Sequence, residues 1–184
     1  MEKKLIDRIY WGDVASHSNY LYGSSIRFVD RSVYFENPYF AAGKAIKTWQ
    51  SKTNYQAHRV SPSLPILVPG ESYTVLKEFS SVPEGTCYLQ LRYFNRQDEQ
   101  IGTEILRDED DCFVFPEQAY SYSISLMGAG CDQLVFHSLS LYGHTGAEEL
   151  QLEDVPSRKY WEKILPDSLY LVKSLIQVAN DEGV

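Results

Sequence analysis

The segment Thr86–Phe94 alternates without a break: Cys87, Leu89, Leu91 and Tyr93 fall on one side, Tyr88, Gln90, Arg92 and Phe94 on the other. A repeat of two belongs to an extended strand and not to a helix, so this run presents one apolar face to a second layer of structure. Ser72–Phe79 repeats the pattern, with Tyr73, Val75 and Phe79 on one face and Lys77 interrupting it. In Lys44–Ser51, Ile46 and Thr48 oppose Ala45, Lys47 and Trp49; in Leu134–Tyr142, Val135, His137, Leu139 and Leu141 oppose Phe136, Ser138 and Ser140. Leu5–Trp11, Ser25–Asp30, Ser32–Glu36, Ile101–Arg107, Cys112–Phe115 and Tyr120–Met127 complete a set of about ten short β-prone runs. Asn37-Pro38, Ser61–Pro65, Pro69-Gly70 and Val82–Gly85 break the chain between them. Nothing alternates strand with helix as a parallel sheet requires. The pattern predicts an all-β, jelly-roll-like antiparallel sandwich.

The character changes after Gly143, and the expected division is a sandwich over 1–143, an acidic linker over 144–157 and a short C-terminal helical extension over 158–184. Pro166 separates two helical segments there and suits the first turn of the second. Leu169, Val172, Ile176 and Ala179 fall on one stripe, broadened by Leu171, Leu175 and Val178. A face this apolar docks either on its own sandwich or on a partner chain, and the stripe is the candidate partner-binding surface.

The net charge of −8 argues against a general attraction to nucleic acid or anionic lipid. Asp7 and Arg8 interrupt the run that a leader peptide would need, and no apolar stretch approaches the roughly 20 residues of a membrane span. Cys87, Cys112 and Cys131 are odd in number and lack metal spacing, so they read as reduced thiols of a cytosolic protein.

Little in the chain suggests catalysis. His17, His58, His137 and His144 are scattered, and His137 reads as a core histidine. Ser24 and Ser25 follow Gly23 without a nucleophile elbow, and no phosphate-binding or dinucleotide glycine pattern occurs. Asp108, Glu109, Asp110 and Asp111 read as a solvated loop, with a calcium site as the minor alternative. No metal or cofactor is expected, and a hydrolase would need a nucleophile, base and orienter that the sequence does not bring together.

Binding chemistry is better represented. Aromatic residues make up 14% of the chain, and such rings serve half-buried sheets as well as recognition surfaces. Tyr88, Gln90 and Arg92 share one strand face, offering a ring, an amide and a guanidinium of the kind a sugar or a Ser/Thr-rich peptide needs. The structural alternative is a two-sided core with Arg92 reaching its edge. Trp49, Asn54, Tyr55 and Gln56 form a second candidate ligand patch, with Trp49 as a core filler as the alternative.

Several short motifs carry a family resemblance. Tyr20-Leu21-Tyr22-Gly23-Ser24, Val33–Pro38, Gly43–Trp49 with Thr53–Gln56, Arg59–Pro65, Phe94–Gly102 and Tyr120–Met127 are similar to the third and smallest accessory Sec protein of Gram-positive cocci and lactobacilli. The likeness runs in order from about Ile9 to Tyr142. It implies a fold like carbohydrate-binding modules and a non-catalytic, cytoplasmic subunit of an export complex. The implied partners are two larger accessory Sec proteins, the serine-rich-repeat glycoprotein adhesin and, indirectly, the accessory translocase. Through those partners the subunit would sit at the inner face of the membrane. A module that recognises glycans directly is the alternative function. Fold likeness by itself assigns no sugar-binding residue.

Overall fold

The computed structural model describes residues 3–52, 61–107 and 111–144. The predicted linker beyond His144, which instead ends the last strand, and the helical extension, with Leu169, Val172, Ile176 and Ala179, lie outside the described residues. So do Asn54, Tyr55 and Gln56, and Asp108 to Asp110 of the acidic run.

Among the described residues ten strands form in the order expected: β1 Lys3–Ile9, β2 Ser25–Val29, β3 Ser32–Glu36, β4 Lys44–Gln50, β5 Ser72–Val82, β6 Cys87–Phe94, β7 Gln100–Leu106, β8 Cys112–Val114, β9 Ser121–Gly128 and β10 Gln133–His144. They build two antiparallel sheets. One runs β2-β3-β10-β5-β8, with β1 also paired to β10; the other runs β4-β9-β6-β7. The core lies between them. Leu89 and Leu91 of β6, Ile124 and Leu126 of β9, and Val75, Leu139 and Leu141 of the opposing sheet are fully buried. The all-β sandwich predicted from the period of two is the architecture observed, and among the described residues no helix is long and apolar enough to cross a membrane.

Two strands depart from simple alternation. A register shift between Ala45 and Lys47 turns β4, so that Ile46 and Trp49 both face the core at 0% and 1% exposure. The alternation read from sequence had put these two on opposite sides; the extra residue of the bulge moves them to one side. A second shift, between Phe136 and Ser138, does the same in β10. Leu134, Phe136, Leu139 and Leu141 all point inward, while His137 is left exposed, with Nδ1 2.8 Å from Ser32 Oγ. His137 is therefore not a core histidine. The bulge residue sits outside the pleat and finds a surface hydroxyl instead.

Several polar groups that enter the core come with partners, whereas Trp11 Nε1 and Ser140 Oγ are buried without a hydrogen bond. Lys77, which interrupts the apolar face of β5, reaches Asp111 at 3.1 Å. Asp111 thereby leaves the solvated acidic run and becomes the anchor of an inward lysine. Tyr122 donates from its hydroxyl to the Pro65 carbonyl at 2.9 Å, and Tyr93 donates to Glu104 at 2.9 Å. Burial holds both phenols protonated well above their ordinary range. All three thiols are free.

At one end of the core Trp11, Trp49 and Phe136 meet. Trp49 stacks on Phe136 at 5.4 Å, and Trp11 packs edge-on against Phe136 at 5.4 Å and Trp49 at 6.4 Å. Trp49 also donates from Nε1 to the Tyr10 carbonyl at 2.8 Å. Replacing Trp49 by Ala empties a filled inter-sheet position and should cost roughly 3–5 kcal/mol in equilibrium denaturation. Tyr39→Ala, at a residue 93% exposed, should shift stability by no more than about 0.5 kcal/mol.

Candidate functional site

The outer face of the four-stranded sheet is built from the positions that alternation leaves over. β9 is the second strand in, and its outward residues are small: Ser121, Ser123 and Ser125, followed by Met127. Its neighbours carry longer side chains at the matching register. Gln50 of β4 and Arg92 of β6 both pair with Ser123; Thr48 and Gln90 both pair with Ser125; Phe94 pairs with Ser121. Short residues between two taller rows make a trough. The resulting cleft has a volume of about 530 Å³ and is lined by Thr48, Gln50, Lys52, Arg92, Phe94 and the three serines, among others.

The polar groups of the trough are held in place. Thr48 and Ser125 share a hydrogen bond of 3.0 Å. Arg92 donates from Nη2 to Gln90 Oε1 at 3.0 Å, which orients the guanidinium along the strand face. Lys52 closes one end by gripping both carboxylate oxygens of Asp98, at 2.6 and 2.8 Å. Hydroxyls, an amide and a planar cation in one concavity can make several directional hydrogen bonds to a polyhydroxylated ligand.

Tyr88, Gln90 and Arg92 do share one outward face, but only Arg92 lines the cleft. Tyr88 is half-buried and one side of its ring carries the Arg107 guanidinium at 4.9 Å, so that side is not an open stacking plane. Trp49 is corrected as a ligand residue: at 1% exposure its indole belongs to the core cluster, because the β4 bulge turns it inward. The residues that sequence reading missed are Thr48, Gln50, Lys52 and the serines of β9. The Ser-x-Ser-x-Ser spacing at Ser121, Ser123 and Ser125 is the signal that would have found them.

A second cleft of about 400 Å³ lies along β4 beside the segment 10–18. Lys47, 4% exposed, donates to the Asp13 carbonyl at 2.9 Å and lies 3.3 Å from Ser18 Oγ, with its ammonium 5.9 Å from the centre of the Trp11 ring. Asn19 ties the same loop through the carbonyls of Asp13 and Ala15. The lysine therefore clamps the loop onto the edge of β4. Ser32 and His137 form a hydroxyl–imidazole pair elsewhere on the surface, and among the described residues no carboxylate is bonded to that imidazole.

The family model for the third protein of the accessory Sec secretory system matches residues 19–143, the greater part of the sandwich. The chain belongs to that family. It is 38% identical over 142 residues to the family's member in Streptococcus gordonii, covering 72% of this chain and 89% of the relative. It is 28% identical over 155 residues to the member in Staphylococcus aureus, covering 84% of this chain and 48% of that longer protein. Among solved structures, one chain of the complex of accessory secretory proteins 1, 2 and 3 from Streptococcus pneumoniae superposes with a TM-score of 0.69 at 33% identity. That match covers 74% of this chain and 95% of the other. A chain of the glycosylation-associated Gap123 complex from Streptococcus agalactiae gives 0.68 at 35% identity, covering 78% of this chain and 48% of that one. The family membership expected from the short motifs is thus established over the sandwich.

Burial holds the Lys47 pKa down, from 10.5 to about 8, with Asp13 opposing the shift. Below about pH 8 the lysine is charged in both folded and unfolded chains, and the cost of burying that charge is fully present. Between about 8 and 10.5 the folded chain has released the proton and the unfolded chain has not, so stability rises with pH. Denaturation of the native chain and of Lys47→Met should therefore diverge, the native chain gaining roughly 2 kcal/mol on the variant from about pH 7 to about pH 10. Parallel curves would refute the buried-charge account.

Proposed function

We propose that this chain is a non-catalytic subunit of an accessory Sec export complex. In this reading it assembles in the cytoplasm with two larger accessory proteins and acts on a serine-rich-repeat glycoprotein adhesin bound for the accessory translocase. The observation that carries the reading is the match of nearly the whole length of a chain within the Streptococcus pneumoniae complex of accessory proteins 1, 2 and 3. A sandwich with two broad outer faces is suited to such a role, since one face can be covered by a subunit while the other stays open. The stripe Leu169, Val172, Ile176 and Ala179 supports the reading on sequence grounds, as an apolar surface that a partner would cover.

A second reading is that the subunit recognises glycan on the export cargo directly. It is favoured by the hydroxyl-lined cleft on the outer face of β4, β9 and β6, with Arg92 among its lining residues. The two readings are compatible, because a subunit that delivers a glycoprotein gains from holding its sugars.

Affinity purification of the full tagged chain from its native host should recover both larger accessory proteins in stable proportion. Ile176→Asp should reduce that recovery at least several-fold without changing the melting temperature of the sandwich. A chain that runs as a monomer, with neither accessory protein present, would overturn the assembly reading; undiminished recovery with Ile176→Asp would remove the stripe from it.

A further inference from the structure

The four-stranded sheet is almost empty of negative charge in an acidic chain. The chain carries 25 Asp and Glu against 17 Lys and Arg, yet β4, β6 and β9 contain no carboxylate at all. β7 contains one, Glu104, and its register opposite the core residue Leu91 turns it to the inner side, where it accepts from the Tyr93 hydroxyl. No outward strand position of this sheet therefore bears a negative charge.

Positive charge collects on the same face. Lys44, Lys52 and Arg92 line the cleft, and Arg107 lies over Tyr88 on the same strand face. Among the described residues Asp98 is the one acidic residue of the lining, and both of its oxygens are engaged by Lys52. Neither Lys44 nor Arg92 is paired with a carboxylate among the described residues. Arg92 is exposed, and its hydrogen bond to Gln90 fixes the guanidinium without neutralising it. A concave wall of low polarisability that carries unopposed cations strengthens the local field far beyond what the net charge of −8 would suggest.

We propose that the cleft takes an anionic saccharide unit, one carrying a carboxylate or a phosphate, in preference to a neutral sugar. The proposal rests on the glycan reading above and adds the chemical class. Arg92 supplies a forked, charge-assisted contact to the anionic group, with Lys44 contributing long-range attraction. Ser121, Ser123, Thr48 and Gln50 supply the hydroxyl and amide partners for the ring hydroxyls, and Phe94 supplies an apolar edge. The volume of about 530 Å³ suits a ligand of one or two sugar units. An acidic peptide is the less favoured occupant, because an extended chain binds a sheet along its free edge, whereas this concavity lies on the face, over β9.

The test is calorimetric titration of the full chain with glucose, N-acetylglucosamine, glucuronate, glucose 6-phosphate and hexaglutamate, at low and at high salt. Glucuronate, glucose 6-phosphate or both should bind at least about ten-fold more tightly than glucose, the scale of one charge-assisted contact, and salt should weaken them. Preference for one of the two acids identifies which anionic group the site is built for. Arg92→Gln should remove about ten-fold of that affinity, and Gln50→Glu, which places a carboxylate in the trough, should abolish it while leaving the melting temperature unchanged. Neutral sugars binding as tightly as the acids would overturn the anionic preference and leave the glycan reading standing. Binding of no sugar would end both. Hexaglutamate binding more tightly than either sugar acid would assign the face to acidic peptide and overturn the saccharide proposal.

Discussion

The two sheets are joined at one end by three rings, and much else follows from how those rings are brought together. Phe136 comes from β10, Trp49 from β4 and Trp11 from the segment that follows β1. Trp49 stacks on Phe136 across the interface, and Trp11 wedges against both. Rings of this size bury more apolar area than any aliphatic residue, and their edge-on contacts add to that area term. The cluster requires two strands to deviate from their pleat at matching places. The bulge after Phe136 in β10 and the bulge after Ala45 in β4 meet that requirement. Backbone irregularity here is what lets large residues from both sheets share one layer.

The same bulge in β4 decides what lies outside. Once Ile46 and Trp49 both face inward, Thr48 and Gln50 must face outward, and they form one wall of the trough over β9. The residue that the bulge displaces is Lys47, which is neither core nor free surface. It turns into the loop 12–19 and holds that loop through the Asp13 carbonyl and Ser18. Burying an ammonium for this purpose is costly, as its lowered pKa records. The hydrogen bonds to the loop and the ring of Trp11 beneath it offset part of that cost. Core packing, loop position and cleft wall are three consequences of a single inserted residue.

The sandwich was legible because its evidence is redundant. Each strand has its own alternation or its own flanking breakers, and an error in one does not move the others. β6 reads correctly at every position from Cys87 to Phe94, as a regular strand in the middle of a sheet should. Bulges are not legible in the same way, since one extra residue leaves no compositional mark and simply reverses the parity of everything after it. For that reason alternation sets Trp49 opposite Ile46 and His137 beside Leu139 and Leu141, when Trp49 is buried together with Ile46, as its core-filler reading had it, and His137 is exposed. The cleft was half legible. Arg92 could be seen because a charged residue on a clean strand face stands out, but the serines of β9 could not, because small hydroxyls in a buried strand look like filler. Only the register, which sets Gln50 and Arg92 on either side of Ser123, shows that their small size creates a groove.

Charge is distributed over this fold in a way that the sandwich alone does not require. Strand faces exposed to water accept Lys, Arg, Asp and Glu with little preference for stability, and surface pairs of opposite sign contribute little. A random allotment from this acidic composition would place a carboxylate or two on the outer positions of four strands, and none is there. Packing explains the depletion only in part: Ser121, Ser123, Ser125 and Met127 are buried, but Lys44, Gln50 and Arg92 hold exposed positions open to either sign. Solubility does not either, since negative charge would serve it at least as well as positive. What acidic residues would disturb on that face is the field around Arg92 and Lys44, and a field is of use only to something that enters it. This sandwich therefore has two unlike faces by design of its sequence: one sheet with mixed charges on its outer side, and one whose outer side is kept positive and hydroxyl-rich around a groove.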